Sequence, residues 1–222
     1  LLPMTEYRYK VRAIIAEGDT SAWSKELTFA TPQPAAALPY SCNFEDDTEN
    51  AYWQMANGTI NKWVIDTAAV KDDLKGLYIS NDGGKTNAYS STSSVVSYTF
   101  RRFDLSRGNY LVSFDWRSNG EHPSYGCYDY LAVFLVPESE QIVADKYGSS
   151  SATVAPENWI PVKNGDALPY TLATNWQLAQ NVVAVPEAGK YNLVFMWKND
   201  NSTTNDPPAA IDNISVSEVN CI

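Results

Sequence analysis

Short runs of alternating apolar and polar residues fill most of the chain. From Tyr40 onward they recur as "LYIS" (77–80), "VVSYTF" (95–100), "YLVSFDW" (110–116), "YLAVFLVP" (130–137), "NVVAV" (181–185), "YNLVFMW" (191–197) and "IDNISV" (211–216). A period of two sends successive side chains to opposite faces of a strand. Clusters such as "NDGG" (81–84), "SRGN" (106–109), "RSNGEHPSYG" (117–126) and "PEAGK" (186–190) close the runs with turn-forming residues. Helical periodicity is scarce. In the 110–116 run, Val112, Phe114 and Trp116 share one face, expected to meet the core, and Leu111, Ser113 and Asp115 share the other. In the 191–197 run, Tyr191, Leu193, Phe195 and Trp197 alternate with smaller or polar positions. Roughly 180 residues with this many strands exceed what an immunoglobulin-type sandwich needs, and predict an all-β, two-sheet jelly-roll β-sandwich over residues 40–222.

The first 33 residues follow another pattern. Tyr7, Tyr9, Val11 and Ala13 alternate with Glu6, Arg8, Lys10 and Arg12, a strand with one wet face. A Gly-Asp turn and a second strand carrying Trp23, Leu27 and Phe29 come next, so a hairpin is expected. Residues 34–39, within "TPQPAAALPYS", read as a short semi-rigid connector. Leu2, Pro3, Thr5 and Tyr7, then "YKVRA", "SAWS" and "FATP", resemble the last two strands of a fibronectin type III domain. One departure is that Leu2 directly precedes Pro3. The resemblance implies that the earlier strands lie upstream of Leu1, and that the Tyr7 hydroxyl bonds upstream backbone. A two-stranded piece is marginal alone, so contact of this hairpin with the jelly roll or with another copy is expected.

Charge narrows the partners. Sixteen basic and 26 acidic residues give a net charge of -10, which repels nucleic acid and anionic lipid. No apolar run approaches the roughly 18 residues needed to cross a bilayer, so no membrane insertion is expected. Cys42, Cys127 and Cys221 form no C-x-x-C pair; a Cys42–Cys221 bridge and buried free thiols both stay open.

Catalytic signatures are weak. His122, the single histidine, lies in a Gly/Pro/Ser loop, and no Gly-x-Ser-x-Gly elbow accompanies it. Cys127 leads into a strand rather than a nucleophile setting, and "NDGGK" lacks the phosphate-loop spacing. A glycosidase needs two facing carboxylates, and the strands supply few glutamates. The expectation is a protein that is not an enzyme.

"CNFEDD" (42–47), Trp53, "NKW" (61–63), "LYISNDGG", "YLVSFDWRSNGE", "YDYLAVFLVP", "PEAGKYNLVFMWKND" and "AAIDNISV" occur in an order that resembles cleaved adhesin domains. These are jelly-roll modules of secreted bacterial surface proteins, similar in fold to MAM domains. The resemblance implies a secreted or cell-surface adhesion module with a structural calcium. Glu45 and Asp212 match two of its ligand positions, and where "ANGTINKW" lacks the usual acids Asp47 or backbone oxygens would have to substitute. Read plainly, "EDDTEN" is a solvated acidic loop. Aromatics in or beside polar loops, Trp53, Trp63, Tyr125, Tyr128, Tyr147, Trp159 and Trp176, are mostly core or staples, but some can stack on sugars or anchor a protein. Trp53, Tyr125 and Trp159 are the candidate ligand contacts. The segment from Pro137 to Leu178 is the least strand-like and suits a surface excursion used in recognition. A host or matrix protein or a glycan is the expected partner; the alternative is a carbohydrate-binding module attached to a polysaccharide-degrading enzyme.

Overall fold

The computed structural model describes all residues except 3, 125, 147–152 and 220–222. The chain divides into two units, Leu1–Pro34 and Ala35–Ile222. In the first, β1 (Glu6–Tyr9) pairs antiparallel with β4 (Leu27–Ala30), and β2 (Ile14–Ala16) with β3 (Asp19–Thr20). Gly18, at φ +82, makes the β2–β3 turn, where a side chain would be strained. The Tyr7 ring stacks on Phe29 at 5.7 Å, and its hydroxyl accepts a 2.6 Å hydrogen bond from the Leu2 N–H. Tyr9, Trp23, Leu27 and Phe29 all stay exposed; so few strands bury little.

The second unit is a jelly-roll β-sandwich. Its elements are β5 (Tyr40–Cys42), α1 (Asp47–Asn50), β6 (Gln54–Ala56), β7 (Lys62–Asp66), β8 (Gly76–Ser80), β9 (Val95–Leu105) and β10 (Gly108–Ser118), followed by β11 (Tyr130–Pro137), β12 (Ile160–Val162), β13 (Pro169–Tyr170), β14 (Ala173–Val185), β15 (Gly189–Asn199) and β16 (Ala210–Val219). One sheet runs β12-β11-β15-β9-β6, with β13 also on β11; the other runs β14-β10-β16-β8-β7, with β5 on β16. The inward rows are those the alternation marks. Val112, Phe114 and Trp116 of β10 meet Leu193, Phe195 and Trp197 of β15 in one apolar core. Phe114 packs edge-on against Phe195 at 5.2 Å. Tyr110 and Tyr191 begin facing strands, and each hydroxyl donates to a carbonyl four residues upstream, Ser106 and Glu187, at 3.0 Å.

The outer face of the first sheet is not solvated: Tyr98, Tyr130, Phe134, Val194 and Met196 form a second buried cluster, on which Ile142, Ala155 and Trp159 pack. The excursion after Pro137 therefore seals a sheet face. The same stretch also holds β12, β13 and the start of β14. The connector packs on the second unit. Ala36 donates its N–H to the Arg102 carbonyl at 2.8 Å, forms a parallel bridge with Phe103, and is buried, while Leu38 packs on the core. Among the described residues Cys42 is a buried free thiol and Cys127 a half-buried one; Cys221, the other half of the possible bridge, lies outside the described residues.

Candidate functional site

The acidic stretch after β5 is a helical turn. Asp46 caps α1 by accepting from the Thr48 N–H at 2.8 Å. The turn aims Glu49 at Tyr40, whose hydroxyl donates to it at 2.7 Å, and at the buried Arg101, whose Nε donates at 2.6 Å. Glu45 and Asp212 both face the loop between β7 and β8. Glu45 Oε1 accepts from the N–H groups of Leu74 and Lys75, at 3.0 and 2.6 Å. Asp212 Oδ2 accepts from the Lys71 N–H at 2.9 Å, and Oδ1 from the Asn213 N–H at 2.8 Å. Asp212 is buried, which pushes its pKa up to about 6.

In this structure the carboxylates of these residues are taken up by the chain's own donors. Glu45, Asp47 and Asp212 do not converge on one ion position; among the described residues only Glu121, Asp129 and Asp200 place three carboxylate oxygens within 4.8 Å of one another. The positive charge beside Glu45 and Asp47 comes from the chain. The Lys75 ammonium bonds Asp47 Oδ1 at 2.5 Å, and its pKa is raised by that hydrogen bond, with Glu45 and Asp66 adding to it. The Glu121 cluster is bound internally too. The Tyr89 hydroxyl donates to Asp129 Oδ2 at 2.5 Å, the Asp200 N–H to Asp129 Oδ1 at 2.8 Å, and Ser202 Oγ to Glu121 at 2.8 Å. Burial raises the Asp129 pKa to about 6.

The candidate ligand aromatics separate. Trp53 is a core residue between Phe44 and Phe195, at 5.7 and 6.0 Å. Trp159 lies edge-on to Phe134 and Tyr98, where it fastens the cover of the first sheet. Tyr125 and Tyr147 lie outside the described residues. Trp63 is fully buried, its Nε1 donating to the Ser97 carbonyl at 3.0 Å. Trp176 differs: it is half-buried at the start of β14, with the Arg117 guanidinium over its ring at 5.4 Å.

Trp176 belongs to the outer face of the second sheet. Register puts Leu111, Ser113 and Asp115 of β10 opposite Val182, Gln180 and Leu178 of β14, and opposite Ser217, Ser215 and Asp212 of β16. Leu178 and Val182 are 62% and 63% exposed. The pairing with β16 slips between Ser113 and Asp115, where Asn213 adopts φ +49. That bulge lets Asn213 Nδ2 donate to Asp115 Oδ2 at 2.9 Å. Ala210 and Tyr78 underlie Trp176. The face thus combines a tryptophan, exposed aliphatics, amides and hydroxyls. A groove of about 410 Å³, lined by Asn164, Leu172, Thr174, Asn175 and Gln177 among others, opens where β14 begins. No sequence motif marks this face; the signal available beforehand was the outward row of β10, with Trp176 among the loop-flanking aromatics.

The candidate nucleophile is poorly placed. Burial, then the charge of Asp129, pushes the Cys127 thiol up to about 12, and His122 is exposed with no hydrogen bond from its ring among the described residues.

No protein-family model matches the chain, and no curated protein does. Solved structures of similar fold include a xylan-binding family 22 carbohydrate-binding module from Paenibacillus barcinonensis, 11% identical, covering 85% of this chain and 98% of that one, with a TM-score of 0.46. The C-terminal family 22 carbohydrate-binding module of a Clostridium thermocellum protein is 14% identical over 81% and 92%, at 0.45. A cleaved adhesin domain of Lys-gingipain from Porphyromonas gingivalis is 16% identical over 77% and 95%, at 0.40. Likenesses this remote carry no ligand across.

Proposed function

We propose that this chain is a non-catalytic, extracellular binding module whose ligand is a glycan held on the outer face of the second sheet. The observation that carries the reading is the difference between the two outer faces. One is sealed by the excursion around Trp159, while the other leaves Leu178 and Val182 in water beside Trp176, Gln180, Asp115 and Asn213. Sugar rings ask for such a surface: C–H groups rest on aromatic and aliphatic carbon, and hydroxyls pair with amides and carboxylates. Strands hold these groups in place, which limits what binding costs in ordering. Adhesion to a protein is the competing reading, favoured by the exposed Leu178 and Val182.

A glycan array probed with the native protein and with Trp176→Ala tests the proposal. Binding to one glycan class by the native protein, weakened by at least about tenfold in the variant, is the expected result. A blank array overturns it and turns the search to protein partners.

A further inference from the structure

Arg117 is a cation without an acid. It lies on β10, half-buried, with its guanidinium over Trp176 and its Nη2 donating to Asn87 Oδ1 at 2.9 Å. Its Nε is buried without a hydrogen-bond partner. Arg101 and Arg102, on β9, meet Glu49 and Glu138; no ion pair among the described residues includes Arg117. Asp115, two residues along the same strand, gives an oxygen to Asn213, and Asp212 is taken up by backbone N–H groups. Burial pulls the Arg117 pKa down, and no carboxylate pulls it back.

A partly desolvated charge is costly unless a counter-charge meets it. Leaving one unpaired in a chain with a net charge of -10 is informative, since acids to pair it are plentiful. Stacking on Trp176 and the bond to Asn87 fix the direction of the guanidinium, so little ordering is left for a ligand to supply. With Nε buried and one Nη2 hydrogen given to Asn87, the Nη1–Nη2 edge is the one that can meet a carboxylate. The overall charge limits the ligand in turn. A polyanion would meet repulsion along its whole length, whereas a single anionic group feels mainly what lies within the Debye length of about 8 Å at physiological salt.

Resting on the glycan reading above, we infer that Arg117 reads a carboxylate, and that the ligand is an otherwise neutral glycan bearing a hexuronate unit. The test is calorimetric titration with a neutral oligosaccharide carrying one hexuronate, with the same compound reduced from carboxylate to primary alcohol, and with a sulfated counterpart. The native protein should prefer the hexuronate to the alcohol by about tenfold or more. Arg117→Gln, checked for an unchanged melting midpoint, should bind hexuronate and alcohol alike. Equal native affinity for the two overturns the role of Arg117 and leaves the glycan reading standing. Discrimination that survives in Arg117→Gln, or sulfate bound as tightly as carboxylate, also overturns it. Failure of all three compounds together with a blank glycan array removes both readings.

Discussion

Lys75 Nζ lies 2.5 Å from Asp47 Oδ1, and the backbone N–H of the same lysine is held at 2.6 Å by Glu45. One residue thereby ties the first acidic turn to the loop between β7 and β8 and brings its own positive charge.

If that charge serves in place of an ion, thermal unfolding in millimolar calcium and in chelator gives the same midpoint. A rise with calcium, which binding to the folded state alone would produce, would show that the loop rearranges around an ion and displaces Lys75.

Asp129 and Asp212 carry folded-state pKa values near 6, mainly through burial, against about 3.9 in an unfolded chain. Between pH 4 and 6 the folded protein holds more protons, so stability is greatest at the acid end of this window and falls as pH rises through it. The slope is at most about 1.4 kcal/mol per pH unit for each group. Denaturant titrations across this range check it, and Asp129→Asn should flatten part of the slope. A rising profile would contradict the burial of both.

Glu49→Ala removes the acid paired with Arg101, whose side chain is 3% exposed, and the acceptor of the Tyr40 hydroxyl. Arg101 also reaches the Arg102 carbonyl at 3.4 Å, which softens the loss. The expected destabilisation is about 3 kcal/mol, read from urea midpoints. Arg101→Met leaves the carboxylate of Glu49, which is 22% exposed and keeps the Tyr40 hydroxyl, and should cost less.

Two tryptophans should fail in opposite ways. Trp53→Ala opens a cavity beside Phe44 and Phe195 and should cost about 3–5 kcal/mol, with the outer face of the second sheet unaffected. Trp176→Ala should cost about 1 kcal/mol through the lost stack with Arg117, while abolishing most glycan binding. Midpoints and binding isotherms of the two variants separate the cases.

These two residues also show where reading a sequence stops. "YWQ" at 52–54 and "NWQ" at 175–177 look alike, each a tryptophan followed by a glutamine. Only the seating of Trp53 between Phe44 and Phe195 makes one core, and only the place of Trp176 on the outer face of the edge strand β14 leaves the other at the surface. By contrast, the inward row of β10 was plain because period two marks it locally. Glu121 and Asp129 come from the loop between β10 and β11 and Asp200 from the loop between β15 and β16, so no local spacing joins the three. That Arg117 has no acid beside it depends on every strand across from it, which no short motif records.

The sealed outer face of the first sheet has a consequence for engineering. Replacements along Tyr98, Phe134 or Val194 disturb a buried layer, so that side of the sandwich is closed to variation. Leu111, Gln180, Val182, Ser215 and Ser217 stand together on the outer face of the second sheet, where none of them is buried. The sandwich is thus a one-sided display scaffold, whose specificity can be rewritten by randomising that row while the hidden side keeps the fold.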